Sequence, residues 1–239
     1  VVRLPRDSTP ADAAGRRREA EVWARAAAAG VAPEPLLVET EAGVLVTPLV
    51  AEEDLATHLR GRLPAPELLE ALGHLVGRFH AVDVTALPAF DPVARIDAAL
   101  QRAEAAGRAP DPAVILARGR LPALERSALV HHDLIPHNVL VGERLWIVDL
   151  ESAGLGDPDL DLVTLATTLE LGAEDEARLF AAARRPLPSP ARLRALRLLF
   201  QLGEHAWAAA RLAEGRDEAG IREQFESSLE ALRQAAAAR

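Results

Sequence analysis

The chain of 239 residues contains no cysteine, methionine, tyrosine or lysine. Without cysteine, disulfide and thiolate chemistry are excluded. Excess positive charge is also lacking: the formal net charge is −9. Sequence-independent nucleic-acid binding relies on basic patches, so that class is disfavoured. An acidic surface is better suited to drawing in a cationic small molecule. No apolar run reaches the length of a membrane span, and no signal-peptide pattern opens the chain. The expected setting is therefore cytoplasmic, with no membrane partner. All 27 basic residues are arginine, and an Arg- and Ala-rich vocabulary suggests a GC-rich bacterial genome. Aromatic residues are only 3% of the chain, whereas 49% is hydrophobic, enough for a sizeable core.

What is present concentrates between residues 129 and 161. Two apolar β-type runs, 139–141 and 145–148, lie on either side of Gly142-Glu143, the pattern of a hairpin. A polar loop, 131–138, enters the first strand, and an acidic loop, 149–161, leaves the second. Asp133 and Asn138 thus precede the hairpin, and Asp149 and Glu151 follow it. A carboxylate, an amide and two further carboxylates suit a hard cation such as Mg²⁺, which takes oxygen ligands and keeps substrate phosphates in its shell. A carboxylate off the metal can orient or deprotonate an attacking hydroxyl. Phosphoryl transfer needs these parts, because its catalysis is mostly positioning and charge neutralisation.

Taken singly, Asp, Asn, Gly and Pro are ordinary turn residues; their joint spacing carries the signal. His131-His132-Asp133 also admits a metal-hydrolase cluster of the HD type. That arrangement needs an all-helical setting, which the flanking strand patterns oppose.

The spacing H-x-D-x-x-x-x-N, with a strand ending in Asp, matches the protein-kinase catalytic loop. Here the second site reads Asp149-Leu150-Glu151, then Gly156-Asp157-Pro158 and Asp161-Leu162. In this the chain resembles the small-molecule kinases of the aminoglycoside phosphotransferase and choline kinase superfamily. The resemblance implies an α+β, protein-kinase-like two-lobe fold that uses ATP and Mg²⁺. It casts Asp133 as the catalytic base, Asn138 and Asp149 as metal ligands, and His131 as a brace of the loop. Asp161 becomes a buried carboxylate holding the loop's backbone amides. Glu151 would touch a second metal or the substrate.

A strand at 1–5, a helix to about residue 29 and a hairpin over 36–49 resemble what remains of a kinase small lobe. Thr9 and Pro10 read as the cap and first position of that helix. By resemblance Arg3 takes the place of the phosphate-contacting lysine, and Glu19 that of its helix partner. Arginine keeps the charge and offers a planar fork suited to phosphate. Read without the later motif, Arg3 is an exposed strand residue and Glu19 a helix partner of neighbouring arginines. Residues 46–51 would form the hinge, with Leu49 or Val50 as backbone donor to the adenine, since Pro48 has no N–H. These kinases place two strands and a phosphate-covering turn ahead of this point. Their loss from a trimmed chain, or a shortened lobe, would impair nucleotide affinity.

The expected division is a small lobe at 1–50 and a helical lobe at 51–239 that carries the catalytic hairpin at 129–161. Helices are expected at 55–60, 66–81, 160–171, 174–183, 190–214 and 218–238, and prolines divide 82–127 into short pieces. His80 reads as an architectural helix-end residue. Glu204 and Trp207 fall where choline-kinase-like enzymes bring residues to the acceptor: an indole face and a carboxylate suit an ammonium group. Core packing for Trp207 and a solvated Glu204 is the competing reading. The implied partner is a cationic small-molecule alcohol, an amino alcohol such as choline or thiamine, or an aminoglycoside. The alternative function is a non-catalytic nucleotide- or ligand-binding pseudokinase on the same fold.

Overall fold

The computed structural model describes residues 1–3, 13–87, 90–216 and 218–237. The expected helix cap at Thr9 and Pro10 lies outside them. The order of elements is β1 (Val2–Arg3), α1 (Ala13–Ala28), β2 (Leu37–Glu39), β3 (Val44–Val46), β4 (Glu53–Asp54), α2 (Leu55–Leu59) and α3 (Pro66–His80). Then come α4 (Pro92–Ala105), α5 (Pro112–Arg118), β5 (Ala128–Val130), β6 (Val139–Val141), β7 (Leu145–Ile147) and β8 (Gly154–Gly156). The helices α6 (Pro158–Thr168), α7 (Ala173–Ala182), α8 (Pro190–Ala213) and α9 (Ala219–Ala237) follow. The fold is α+β, with a small β-containing N-terminal part and a mostly helical remainder.

Proline sets many of the helix starts. α3, α4, α5, α6 and α8 each carry one in the opening positions, where its missing N–H costs nothing and its fixed φ is already helical. The prolines at 92 and 112, expected to break the chain, therefore also begin helices. Asp91, Asp111, Asp157 and Ser189 stand just before them and accept backbone N–H bonds from the first turn.

Two compact units emerge from the contacts: Val1–Phe90 with Glu125–Leu187, and Asp91–Leu124 with Pro188–Arg239. The lobe boundary expected near residue 50 falls inside the first unit. There, β1, β3 and β2 form an antiparallel sheet in that order. Arg3 pairs with Leu45, and Leu45 with Val38, so these three share a face. The expected hairpin is β6–β7, with Val139 opposite Ile147, and β4 adds to its other edge through Asp54 opposite Leu140. A further pair, β5–β8, brings Val130 opposite Gly154 inside the segment expected to be loop. The i, i+3 and i+4 spacing of α3 buries Leu69, Leu72, Leu75, Val76 and Phe79 beside Leu129, Leu134, Ile147 and Phe180. Each such side chain stabilises the fold by about 1.5–3 kcal/mol. This core is the floor on which the loop 131–138 is laid.

The second unit is helical. α8 packs against α4 and α9, and α5 against α8 and α9, over a core that includes Leu196, Leu199, Leu202 and Leu232. No helix among the described residues is long and apolar enough to cross a membrane.

Candidate active site

Asp161 is completely buried, one turn into α6. Its Oδ2 accepts the backbone N–H of His131 at 2.9 Å, and its Oδ1 that of His132 at 3.0 Å. His80, the last residue of α3, donates Nε2–H to Oδ2 at 3.0 Å. Burial alone would push this carboxyl up. The hydrogen bond and charge of His80, with the imidazole and N–H of His131, outweigh it and hold the group below its ordinary value. Asp161 thus binds the loop's amides, as expected, and His80 contributes directly to that grip.

From this anchor the loop builds outward. His131 is buried, and its Nε2–H donates to the carbonyl of Val148 at 2.9 Å. Its Nδ1 accepts the N–H of Asp133 at 3.3 Å. One imidazole therefore spans from the residue before Asp149 to Asp133. Both ring nitrogens are committed to the main chain, which leaves neither for the metal of an HD-type centre. Asn138 donates Nδ2–H to the carbonyl of Asp133 at 2.8 Å, and its own carbonyl accepts from Val148 at 3.0 Å. With the amide nitrogen fixed, the side-chain oxygen of Asn138 is the atom available to a cation. The backbones of Asp133, Asn138 and Asp149 thus meet at the open end of the β6–β7 ribbon.

Two side chains here sit on unusual backbone. His132 has φ +65° and Asp149 φ +63°. Residues held in the left-handed region persist where their surroundings over-determine them, and they gather at functional sites. His132 is held by Asp161 below and by Phe90, whose ring centroid lies 4.6 Å away. Gly156 makes room for it: a Cβ there would come within 2.4 Å of the His132 ring. Asp149 immediately precedes the 3-10 turn Leu150–Ser152.

Arg3 reaches Asp149 Oδ1 at 3.2 Å and Glu19 Oε2 at 2.6 Å. The expected strand–helix pair is therefore formed, and it extends to the candidate metal ligand. Burial pushes the Glu19 carboxyl up, only partly offset by Arg3. Burial works to lower the Arg3 value; the Glu19 bond and the charges of Glu19, Asp149 and Glu151 overcome it and raise the group. The neighbouring Arg18 donates to the carbonyl of Glu151 at 2.6 Å, while the Glu151 carboxylate faces solvent. No local pattern singles Arg18 out of the basic run 16–18.

The connection from β3 to β4 carries Leu49, which is 71% exposed, and Val50, which is half-buried. The Val50 carbonyl packs against Gly142, where a Cβ would come within 2.4 Å of it. Next to Asn138, the exposed His137 shares a hydrogen bond of 3.1 Å with Asp54, which also caps α2. In the second unit, Glu204 accepts from Gln224 at 2.7 Å. Trp207 is 37% exposed, with the Arg211 guanidinium 5.4 Å from its ring centre.

Among the described residues, no three His, Asp or Glu side chains converge as a self-contained metal cage. An amide and a carboxylate are nonetheless the donor set Mg²⁺ takes when substrate phosphates and water complete its shell. The residues present fit that ion.

Solved structures share this architecture. A choline/ethanolamine kinase family protein from Mesorhizobium loti aligns over 98% of this chain and 81% of its own, with TM-score 0.71 and 24% identity. The choline kinase LicA from Streptococcus pneumoniae aligns over 98% and 85%, with TM-score 0.74 and 18% identity, and LicA has also been solved with AMP. An aminoglycoside-3'-phosphotransferase of type VIII covers 84% of each chain, with TM-score 0.60 and 22% identity. At such identities the likeness is one of fold. No curated protein sequence matches the chain. The phosphotransferase enzyme family model matches residues 1–196, and with most of its length inside that match the chain belongs to the phosphotransferase enzyme family.

Proposed function

We propose that the chain transfers the γ-phosphoryl group of ATP to a hydroxyl of a small molecule, with Mg²⁺. The observation that carries this reading is the Arg3 guanidinium bridging Glu19 and Asp149 at the ribbon end that also holds Asp133 and Asn138. A cation suited to phosphate, two oxygen donors suited to Mg²⁺ and a separate carboxylate for a hydroxyl are the parts that phosphoryl transfer requires.

In this reading Asp133 accepts or orients the acceptor's hydroxyl proton. Its main chain is held by His131 and Asn138, so the carboxylate projects from a fixed point. Asn138 and Asp149 offer their oxygens to the metal. Held there, Mg²⁺ would supply charge neutralisation for the nucleotide phosphates. Arg3 orients the phosphates with its planar fork, and Glu19 holds that fork in place. Leu49 or Val50 supplies the backbone contact to the adenine. Residues 1–50 provide the phosphate-positioning pair, and residues 51–239 the catalytic ribbon and the acceptor-binding helices. An amino alcohol or aminoglycoside is the acceptor class, with Glu151 as its candidate contact beside Asp149. The net charge of −9 favours a cationic acceptor.

The test is a thermal-shift titration. ATP is expected to raise the melting temperature only when Mg²⁺ is present, and Asp149→Ala to abolish the rise. A rise independent of both the metal and Asp149 would support a non-catalytic binding protein instead.

A further inference from the structure

Arg18 and Glu19 are neighbours on α1 and reach one short turn by different routes. Glu19 acts on a side chain, through Arg3 to Asp149 Oδ1. Arg18 acts on the main chain: its Nη2–H donates to the Glu151 carbonyl at 2.6 Å. The same guanidinium lies 5.7 Å from the ring centre of Phe90, and the Phe90 ring lies tilted against that of His132, with centroids 4.6 Å apart. Phe90 is itself tied down, its N–H donating to the Leu155 carbonyl at 3.4 Å. The turn so gripped begins at Asp149 in the left-handed region and closes with Ala153 N–H on the Leu150 carbonyl at 3.1 Å. An aspartate keeps that backbone only where its surroundings fix it. The Glu151 carbonyl is two residues away, and Arg18 is the side chain that fixes it.

We propose that Arg18 is a positioning residue for metal binding: by holding the Glu151 carbonyl, it keeps Asp149 in its left-handed conformation, with the carboxylate beside Arg3. Helix α1 then sets both the phosphate-positioning arginine and the metal ligand from adjacent residues. A displacement of α1 would disturb the two together. The inference rests on the reading of Asp149 as a metal ligand.

The experiment compares Arg18→Met, which keeps the packing stem and removes the donor, with Arg18→Lys, which restores one. Arg17→Met, at a residue paired to Glu41 on the exposed side of α1, controls for the lost charge. Two readouts are taken: the Mg²⁺ concentration at half of the ATP-dependent thermal shift, and hydrogen exchange at the Ala153 amide in the ligand-free chain. Arg18→Met is expected to raise the Mg²⁺ half-point about tenfold, the scale for partners that orient metal ligands, and to speed exchange at Ala153. Its ligand-free melting temperature should stay within about 3 °C. Arg18→Lys should recover part of both effects, and Arg17→Met should show neither. An unchanged half-point and exchange rate in Arg18→Met would overturn the proposal, as would an equal effect from Arg17→Met. No metal-dependent shift in the unsubstituted chain would instead overturn the reading of Asp149, a failure visible before any variant is compared.

Discussion

His80 and Asp161 meet in the interior at 3.0 Å, one at the end of α3 and the other in the first turn of α6. The contact joins two helices and, through the other bonds of Asp161, suspends the loop that carries Asp133. A fully buried carboxylate is costly unless all its oxygens are satisfied. Here the main chain of His131, the main chain of His132 and the His80 ring satisfy them.

Replacing Asp161 by alanine leaves those three donors without their acceptor. The expected cost is about 3–5 kcal/mol of unfolding free energy, read from urea denaturation. Because the native Asp161 carboxyl lies below its ordinary 3.8, its contribution is complete above that value and is lost as pH falls through the lower native one. Asp161→Asn should therefore narrow the stability gap between neutral and strongly acidic pH.

Glu19 behaves in the opposite sense. Burial raises its native value above the ordinary 4.5, so its stabilising share is present below 4.5 and declines as pH rises through the raised value. Glu19→Gln removes a buried charge and leaves Arg3, whose side chain is 40% exposed, to Asp149 and water. At pH 7 this variant should be at least as stable as the unsubstituted chain. Its ATP affinity in the presence of Mg²⁺ should still fall about tenfold, as for other partners that orient a ligand-binding group. Denaturation midpoints and nucleotide titration separate the two effects.

The second unit has its own pH dependence. His205 is 4% exposed, tilted against the Phe225 ring and within 3.4 Å of Ser228 Oγ. Burial holds its imidazole below the usual 6.5, partly countered by the Phe225 backbone and the Asp111 charge. The unfolded chain therefore takes up this proton first, and stability that is complete above 6.5 declines as pH falls through the lower native value. Urea midpoints measured from pH 7.5 down to 5 should show this decline, and His205→Gln should flatten it.

Much of the site was legible before any coordinates. Residues 139–141 and 145–148 are apolar β-type runs on either side of Gly142-Glu143, and that pattern is the β6–β7 ribbon itself. The spacing from His131 to Asp161 identifies residues that the fold brings together, because loop residues fixed by backbone bonds sit at set distances along the chain. Other features left no local trace. β4 is Glu53–Asp54 and β8 is Gly154–Gly156; neither composition favours a strand, and both exist only because a partner strand is alongside. The bond from Arg18 to Glu151 spans 133 positions, and that from His80 to Asp161 spans 81. Periodicity reports which face of a helix is apolar, and it is silent on which distant carbonyl a half-buried arginine will meet. The grouping of 91–124 with 188–239 is hidden for the same reason, since contacts between helices far apart in sequence create it.

The most direct test of the account is acceptor-dependent release of ADP by the purified chain and by Asp133→Asn, with ATP and Mg²⁺, over a panel of choline, ethanolamine, thiamine, homoserine, sugars and aminoglycosides. The account predicts that at least one acceptor stimulates release, and that Asp133→Asn lowers the stimulated rate by about 10²–10⁴-fold while the metal-dependent thermal shift with ATP persists. Equal stimulated rates in the two proteins, or a chain that no acceptor in the panel stimulates, would contradict it.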